Sequence, residues 1–393
     1  MIAPRKTGCG SPRARHGSVL PVVTILLVIL VGMVAFAIDV GYIAHARTEL
    51  QATADSGDLA GLAKLYSGTG ATQDFTAAKS EVNKYVGGSA GNRPGLVVAD
   101  ADIQFGYFDR TAAVGTRFST DLTNRRANAL RVTLRRDGTT NPRLALFFAS
   151  VLGKADNDVR AKATAWMPPA LGVLPNAELI PYVAQVDYFN AVAGLPARAS
   201  NSNGFVNIDS SVFTDIWTIG AAGTVPTTGP DGAKELLLFS GGQNAPGNFG
   251  SIDLGSASNG TPELARQLRY GPTQGDFDIL DNAGKLASDN SLQAPVNLGG
   301  DTGISNGTKD DWAAIIGQNK IIPLYDTVSG NGNNAAYHIV GFAGVRIVAA
   351  DLQGNPKRVW VQPTSFYSNK VTVAPTGSSG MVGVYAPPRL VIP

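Results

Sequence analysis

The sequence contains little of what builds disulfides, metal centres or charged surfaces. It has one cysteine, three histidines and 16% charged residues in 393. The single Cys9 excludes a disulfide within the chain and a zinc site built from several cysteines, and three histidines are too few for a histidine cluster. Stability must therefore come from buried apolar side chains, for which a hydrophobic content of 44% is sufficient.

Charge of either sign is absent from one long segment, Val19 to Ile38. Twenty residues in a helix span about 30 Å, the thickness of the hydrocarbon core of a bilayer. Four of the 32 basic residues precede this segment and no acidic residue does. The positive-inside rule predicts a cytoplasmic N-terminus, a single membrane pass and an exported body. The remaining 28 basic and 30 acidic residues give no electrostatic reason to expect a nucleic-acid partner.

Three interpretations of the apolar segment are open. A retained transmembrane helix over residues 18–38 is favoured, because the run is longer than the apolar region of a secretory signal. Ala35-Phe36-Ala37 matches the small-residue pattern of a cleavage site, which would release the protein after Ala37. Prepilin-type processing after Gly17 is disfavoured, since Val22 stands where such leaders carry glutamate.

The composition and patterning predict an α+β protein. The 46 glycines and 23 prolines favour many turns and short strands over a helical bundle. Pro168-Pro169 is a natural boundary between two folded regions. The predicted parts are a basic cytoplasmic tail (1–17), a transmembrane helix (18–38), a membrane-proximal α+β domain (39–168), a β-rich C-terminal domain (169–376) and an exposed tail (377–393).

The membrane-proximal domain is expected to open with an alanine-rich helix over residues 39–66, which continues the span. Its small side chains would admit a close neighbour, so packing on its own domain and self-association are both open. Alternation of period two predicts strands, while Pro142 and Gly153 predict the two ends of a helix. The further elements are helices at Thr72–Val86 and Asn141–Leu152 and strands at Ala101–Phe108, Ala129–Arg135 and Asp158–Met167.

The C-terminal domain is predicted to be mainly strands, with two helices between them. Thr261 is the candidate N-cap of a helix over Pro262–Tyr270, and Thr308 of one over Lys309–Ile316. The predicted strands are Asp215–Ile219, Glu235–Phe239, Asn248–Leu254, Lys320–Tyr325, Tyr337–Ala349 and Arg358–Phe366.

The apolar span is followed by Asp39-Val40-Gly41, Leu50-Gln51, Ala54-Asp55 and Leu59-Ala60-Gly61. Through these residues, Gly17–Ala63 resembles the N-terminal segment of TadG-like proteins, which are related to Flp pilus assembly in the tight-adherence system. Blocks further along are similar to a TadG-related subgroup. They are Gly247–Gly255, Gly300–Gly303, Ile321–Asp326 and Ser329–Gly344.

The resemblance implies an inner-membrane accessory or scaffold of a Flp/Tad-type pilus system, with its body in the periplasm and in contact with pilus or secretion-machine proteins, and it implies nothing about catalysis. Many TadG-type proteins carry a von Willebrand A-like domain with an Asp-X-Ser-X-Ser metal site. That motif is absent from this sequence, which predicts a subgroup without such a site. The competing hypothesis is a secreted surface-binding or adhesion protein, released after Ala37, in which calcium binding is left open.

Motifs that could carry catalysis have simpler explanations. Gly87-Gly88-Ser89-Ala90-Gly91 matches G-x-S-x-G, but a helix precedes it where a nucleophile elbow needs a strand, so a flexible turn is expected. His338 lies in an alternating run and is expected to be a hydrogen-bonded strand residue. The sequence therefore predicts no enzyme, and it assigns no catalytic, cofactor-binding or metal residue and no cofactor.

Calcium remains a minor hypothesis at two places that offer oxygen ligands. One is Asp326 with the Gly330–Asn334 segment, which is otherwise a tight turn, and the other is the acidic group Asp276, Asp278 and Asp281. Neither matches the EF-hand pattern. The basic run Arg125–Arg136 is expected to be a solvated face, with contact to acidic lipid headgroups as a lesser alternative.

Overall fold

A computed structural model describes residues 19–66, 73–88, 95–123, 125–195, 213–220, 223–238, 250–255, 260–330, 332–354, 357–374 and 381–392. The described residues fall into two compact units. The first unit is drawn from Met1–Leu50 and Arg135–Ala161, and the second from Gln51–Leu134 and Lys162–Pro393. These units do not coincide with the predicted domains, whose boundaries stay predictions.

Helices and many short strands make up the described residues, which confirms the α+β class. The helices are α1 (Val19–Lys64), α2 (Phe75–Val86), α3 (Val186–Ala193), α4 (Thr261–Tyr270), α5 (Gln274–Asn282) and α6 (Lys309–Ala314). The strands are β1 (Ile103–Phe108), β2 (Phe118–Ser119), β3 (Ala129–Arg136), β4 (Leu144–Ala145), β5 (Asp156–Asn157), β6 (Val159–Trp166), β7 (Ala170–Val173), β8 (Ala184–Gln185), β9 (Phe213–Thr214), β10 (Trp217–Thr218), β11 (Thr227–Thr228), β12 (Glu235–Leu238), β13 (Gly250–Ile252), β14 (Leu292–Gln293), β15 (Val296–Thr302), β16 (Asn319–Ser329), β17 (Ala335–Asp351), β18 (Arg358–Pro363), β19 (Phe366–Tyr367), β20 (Val371–Val373), β21 (Met381–Val382), β22 (Val384–Tyr385) and β23 (Arg389–Leu390).

The apolar span and the alanine-rich segment after it form one uninterrupted helix, α1, of 46 residues. Its one proline, Pro21, lies in the first turn, where a missing N–H costs nothing. In the second unit, α1 packs against α2, whose first turn is capped by Asp74 accepting from the Ala77 N–H at 2.8 Å. Gly57 faces Val86, and a side-chain carbon at Gly61 would overlap Val82. The small residues of this half of α1 therefore serve packing within the chain.

A five-stranded sheet has the order β2-β1-β3-β6-β23. In β3 the alternate residues Leu130, Val132 and Leu134 are buried, as the period of two predicts. The three strands predicted in this region are confirmed with small shifts at their ends.

The chain end does not form the exposed tail that the sequence predicts from residue 377. Strand β21 pairs with β17, β22 with β19 and β23 with β6, and Met381, Val384 and Ala386 are buried. These short segments pair with strands that lie from 18 to more than 200 positions earlier in the chain, and no local pattern signals such pairing. Residues 377–380 and 393 lie outside the described residues.

The helix predicted over Asn141–Leu152 is wrong. Strand β4 pairs with β5 there, and a short 3-10 turn covers Ala149–Leu152 before Gly153 at φ 83°. The backbone N–H groups of Phe147, Phe148 and Ala149 donate to Asp39. They are therefore not available to donate to the carbonyls of a preceding helical turn. The predicted stop at Gly153 is correct.

A larger, nine-stranded sheet is built around the antiparallel pair β16 and β17. Its main path is β13-β15-β17-β18-β12-β9, with β16, β8 and β21 attached beside it. Alternate residues enter two separate apolar clusters: Ile322 and Leu324 join the first, while Ile321 and Tyr325 join the second. The other predicted strands of this region are present, but the stretch predicted at Asp215–Ile219 contains only the two-residue strand β10, which pairs with β11 outside this sheet. Strand β9 ends at Thr214, just before that stretch.

Of the two N-caps predicted for helices of the second unit, one is wrong and the other is correct in position only. Helix α4 begins at Thr261 itself, with Gly260 as the N-cap, so Thr261 is not the cap predicted. Thr308 is the N-cap of α6, yet its hydroxyl donates to the Ser305 carbonyl instead of accepting from the helix. Helices α3 and α5 are additions that the sequence did not predict. Helix α5 begins with a capping box between Thr273 and Asp276.

Candidate membrane anchor and its junction at Asp39

The N-terminal half of α1 presents an apolar surface to solvent along its whole length. Its most apolar window is not buried at all, and side chains such as Leu20, Phe36 and Val28 are more than half exposed. A helix in the core of a soluble domain would bury such residues. By length and composition α1 can cross a membrane, and it is the candidate span of the described residues.

Asp39, the first charged residue after the span, is buried in the first unit with 4% of its surface exposed. Its Oδ1 accepts from the Phe147 N–H at 2.9 Å, and its Oδ2 accepts from the Phe148 and Ala149 N–H groups at 3.1 and 2.6 Å. Charge-assisted bonds of this kind are stronger than bonds between neutral groups. The carboxylate therefore fastens residues 147–149 to the end of the span, and we call this arrangement the Asp39 junction.

Asp58 is a second buried carboxylate, located on the second unit's part of α1. It is fully buried, and neither oxygen has a hydrogen-bond partner of good geometry. Burial raises the pKa of Asp58 well above its usual range, and the nearby Ala165 N–H and Arg131 oppose this only partly. Arg131 itself donates to Thr164 at 3.2 Å and lies 4.0 Å from the centre of the Phe118 ring. Part of the basic run is thus packed on the sheet and is not a solvated face.

The acidic residues offered for calcium are separated by the structure. Asp276 accepts from the Thr273 N–H in the α5 cap and forms an ion pair with Arg266. Asp278 and Asp281 instead line an open cleft of about 220 Å³ together with Asn290. Among the described residues, no group of three or more His, Cys, Asp or Glu could hold a metal ion.

His338 makes the strand hydrogen bond that the sequence predicts. Its Nδ1 lies 2.7 Å from Oδ1 of Asp326, across the β16–β17 pair. The turn between these strands starts at Gly330, whose φ is 77° and where a side chain would overlap Asn334. Ser89, Ala90 and Gly91 of the G-x-S-x-G match, the basic tail 1–17 and Cys9 lie outside the described residues.

Two family models match the N-terminal part of the chain. The Tad family model, for TadE/G-like Flp pilus-assembly proteins, matches residues 17–64. The Tad_C model, for Tad-like Flp pilus-assembly proteins, matches residues 60–165. Together the two matches span residues 17–165, which we call the Tad-like region. Comparison with the curated proteins and with the solved structures finds no match.

The Tad-like region contains α1, the Asp39 junction and nearly all of the strands β1 to β6. The resemblance read from Gly17–Ala63 is therefore confirmed, whereas the similar blocks between residues 247 and 344 lie beyond both matches. Sequence reasoning singled out Asp39 in the Tad-like motif but missed its partners. Those partners are backbone N–H groups more than 100 positions away, which carry no side-chain signal.

Proposed function

We propose that this protein is a single-pass inner-membrane protein that serves Flp pilus assembly as a non-enzymatic accessory or scaffold. Its N-terminus would lie in the cytoplasm and its body in the periplasm. One observation carries the proposal: the Tad match at 17–64 covers the exposed apolar helix and the carboxylate at its end. Membrane anchoring by itself needs only the apolar run, whereas the family match extends beyond that run to residue 64 and includes Asp39.

The scaffold would act through contacts with pilus or secretion-machine proteins. Gly57 and Gly61 are occupied by α2, so a contact through α1 in the second unit would use exposed positions such as Ala52 and Ser56. The β-rich residues after 165 are the other candidate surface. The sequence motif for a von Willebrand A metal site is absent, so the proposed function includes no adhesion through such a site.

A clean deletion with two complementing forms tests this function. We expect the deletion to abolish piliation by electron microscopy and to lower surface attachment. The full chain should restore both, whereas residues 39–393 behind a cleavable signal peptide should not, because the scaffold must stay at the membrane. Normal piliation in the deletion would overturn the proposal, and full rescue by the released form would favour the secreted surface protein instead.

A further inference from the structure

A second apolar surface lies directly beside the end of the span in the first unit. Phe147, Phe148 and Val151 are 63%, 44% and 85% exposed. They belong to the uncharged segment 144–153, which ends at the exposed Lys154. Three large apolar side chains exposed on one short turn are unusual for a surface that faces only water. We call residues 147–151 the apolar turn.

The Asp39 junction places the apolar turn at the level where the span ends. Asp39 directly follows Ile38, and its carboxylate binds the N–H groups of Phe147, Phe148 and Ala149. The ring of Phe147 also lies 5.0 Å from the ring of Tyr42, one helical turn further along α1. The apolar turn therefore lies against the first turn of α1 after the span.

The chemistry at this level is compatible with a lipid interface. The Asp39 carboxylate has its hydrogen bonds satisfied by backbone N–H groups, so the site does not bring an unpaired charge to the boundary. Aromatic rings are favoured where acyl chains meet headgroups, and a cationic side chain next to them suits acidic lipids. Phe36 and Ile38, in the last turn of the span, are also exposed.

We infer that the apolar turn inserts into the headgroup boundary of the bilayer, as a second membrane contact held against the span by Asp39. This inference rests on the anchored topology of the proposed function. It assigns a role to the buried carboxylate: Asp39 couples the span to residues of the folded body that would otherwise have no link to the membrane.

Site-specific fluorescence of the full chain in vesicles tests the inference. In a Cys9→Ser background, single cysteines from Val151→Cys, Val114→Cys and Val28→Cys are labelled with NBD. Val114 is the matched control, a valine of the second unit with 67% exposure, and Val28 reports on the span. The labelled proteins are reconstituted into phosphatidylcholine–phosphatidylglycerol vesicles that contain lipids with a nitroxide either near the headgroup or deep in the acyl chain.

We expect the headgroup nitroxide to quench at least half of the fluorescence at position 151 and less than a tenth at position 114. Position 28 should be quenched most by the deep nitroxide. If position 28 is quenched while 151 is not, the second membrane contact is overturned and the anchor stands. Equal quenching at 151 and 114 would also overturn the contact, since exposure alone would explain it. Absence of quenching at 28 would instead reject the anchor and, with it, the proposed function.

Discussion

At the scale of single residues, the chain uses two aspartates of one helix in opposite ways. Asp39 is buried and satisfied by three backbone N–H groups, so it orders the turn that it binds. Asp58 is buried without a good hydrogen-bond partner, so it lowers the stability of the fold when it is charged. Both aspartates lie on α1, and they differ in the groups that other parts of the chain bring to the carboxylate. Asp39 receives three N–H donors, whereas Asp58 receives no hydrogen-bond donor of good geometry.

Replacing Asp39 should loosen residues 147–149. In Asp39→Ala three N–H groups lose their acceptor, which we expect to cost about 2 kcal/mol locally and to speed amide exchange there on the order of 30-fold. Hydrogen–deuterium exchange of the reconstituted full chain measures this. Asp39→Asn keeps one oxygen acceptor and should show a smaller acceleration. Unchanged exchange at 147–149 in Asp39→Ala would contradict the junction.

Asp58 should make stability depend on pH. Burial raises the pKa of Asp58 in the folded state well above its usual range, so the folded state holds the proton more tightly than the unfolded state. Stability is therefore highest below the unfolded pKa and is lost as pH rises through the folded pKa. We expect Asp58→Asn to melt at a higher temperature than the wild type at about pH 8, with little difference at about pH 4.

A second substitution separates charge from packing at this position. Asp58→Ala removes the same charge but leaves a small void, so it should lose stability by a constant amount while showing the same flattened pH dependence as Asp58→Asn. Thermal unfolding in detergent, followed by near-ultraviolet circular dichroism, gives both profiles. Parallel pH profiles for the wild type and both variants would show that Asp58 is not the group responsible.

At the scale of elements, α1 has different surroundings along its length. Its first turns expose bulky apolar side chains, while further along Gly61 lets α2 approach within contact distance. Glycine inside a helix costs about 0.5–1 kcal/mol relative to alanine, so its presence needs a compensating contact. The contact of Gly61 with Val82 and Leu130 provides one.

A matched pair of glycine substitutions tests this difference. Gly61→Ala should destabilise the fold by about 1–3 kcal/mol, because the added carbon overlaps Val82 and lies 2.8 Å from Leu130. Gly41→Ala meets no atom within 4 Å and should stabilise the helix slightly, by about 0.5–1 kcal/mol. Thermal unfolding of the two variants should thus shift in opposite directions. A stable Gly61→Ala would mean that α1 and α2 are not closely packed.

At the scale of the whole molecule, the main question is whether the mature protein keeps the apolar segment or loses it by cleavage after Ala37. Helix α1 continues without a break through Ala35-Phe36-Ala37 and on to the Asp39 junction. We expect the mature protein to keep residues 19–38 and to remain in the membrane fraction after carbonate extraction. Intact mass and N-terminal sequencing measure this, with Ala37→Leu as the variant whose cleavage is blocked. A wild-type N-terminus at Ile38, with Ala37→Leu alone retained in the membrane, would establish release.

Local patterns in the sequence were sufficient to predict the apolar part of α1, helix α2 and most of the strands. The uncharged run of bilayer length is visible in the composition alone, and the period-two alternation in residues 129–136 involves only neighbouring residues. Both signals can therefore be recognised without knowing the fold. The Tad-like motif around Asp39 was likewise legible in the sequence.

Only the tertiary structure decided the features that depend on distant backbone. The apolar turn replaces a predicted helix because Asp39 takes its N–H groups, and the chain end becomes strands because β6, β17 and β19 offer open edges. The burial of Asp58 without a good hydrogen-bond partner likewise depends on what packs around α1. The N–H partners of Asp39 lie more than 100 positions away, and the chain end pairs with strands from 18 to more than 200 positions earlier. Such hydrogen bonds leave no periodicity in either segment, so they are set when the chain folds and not by local composition.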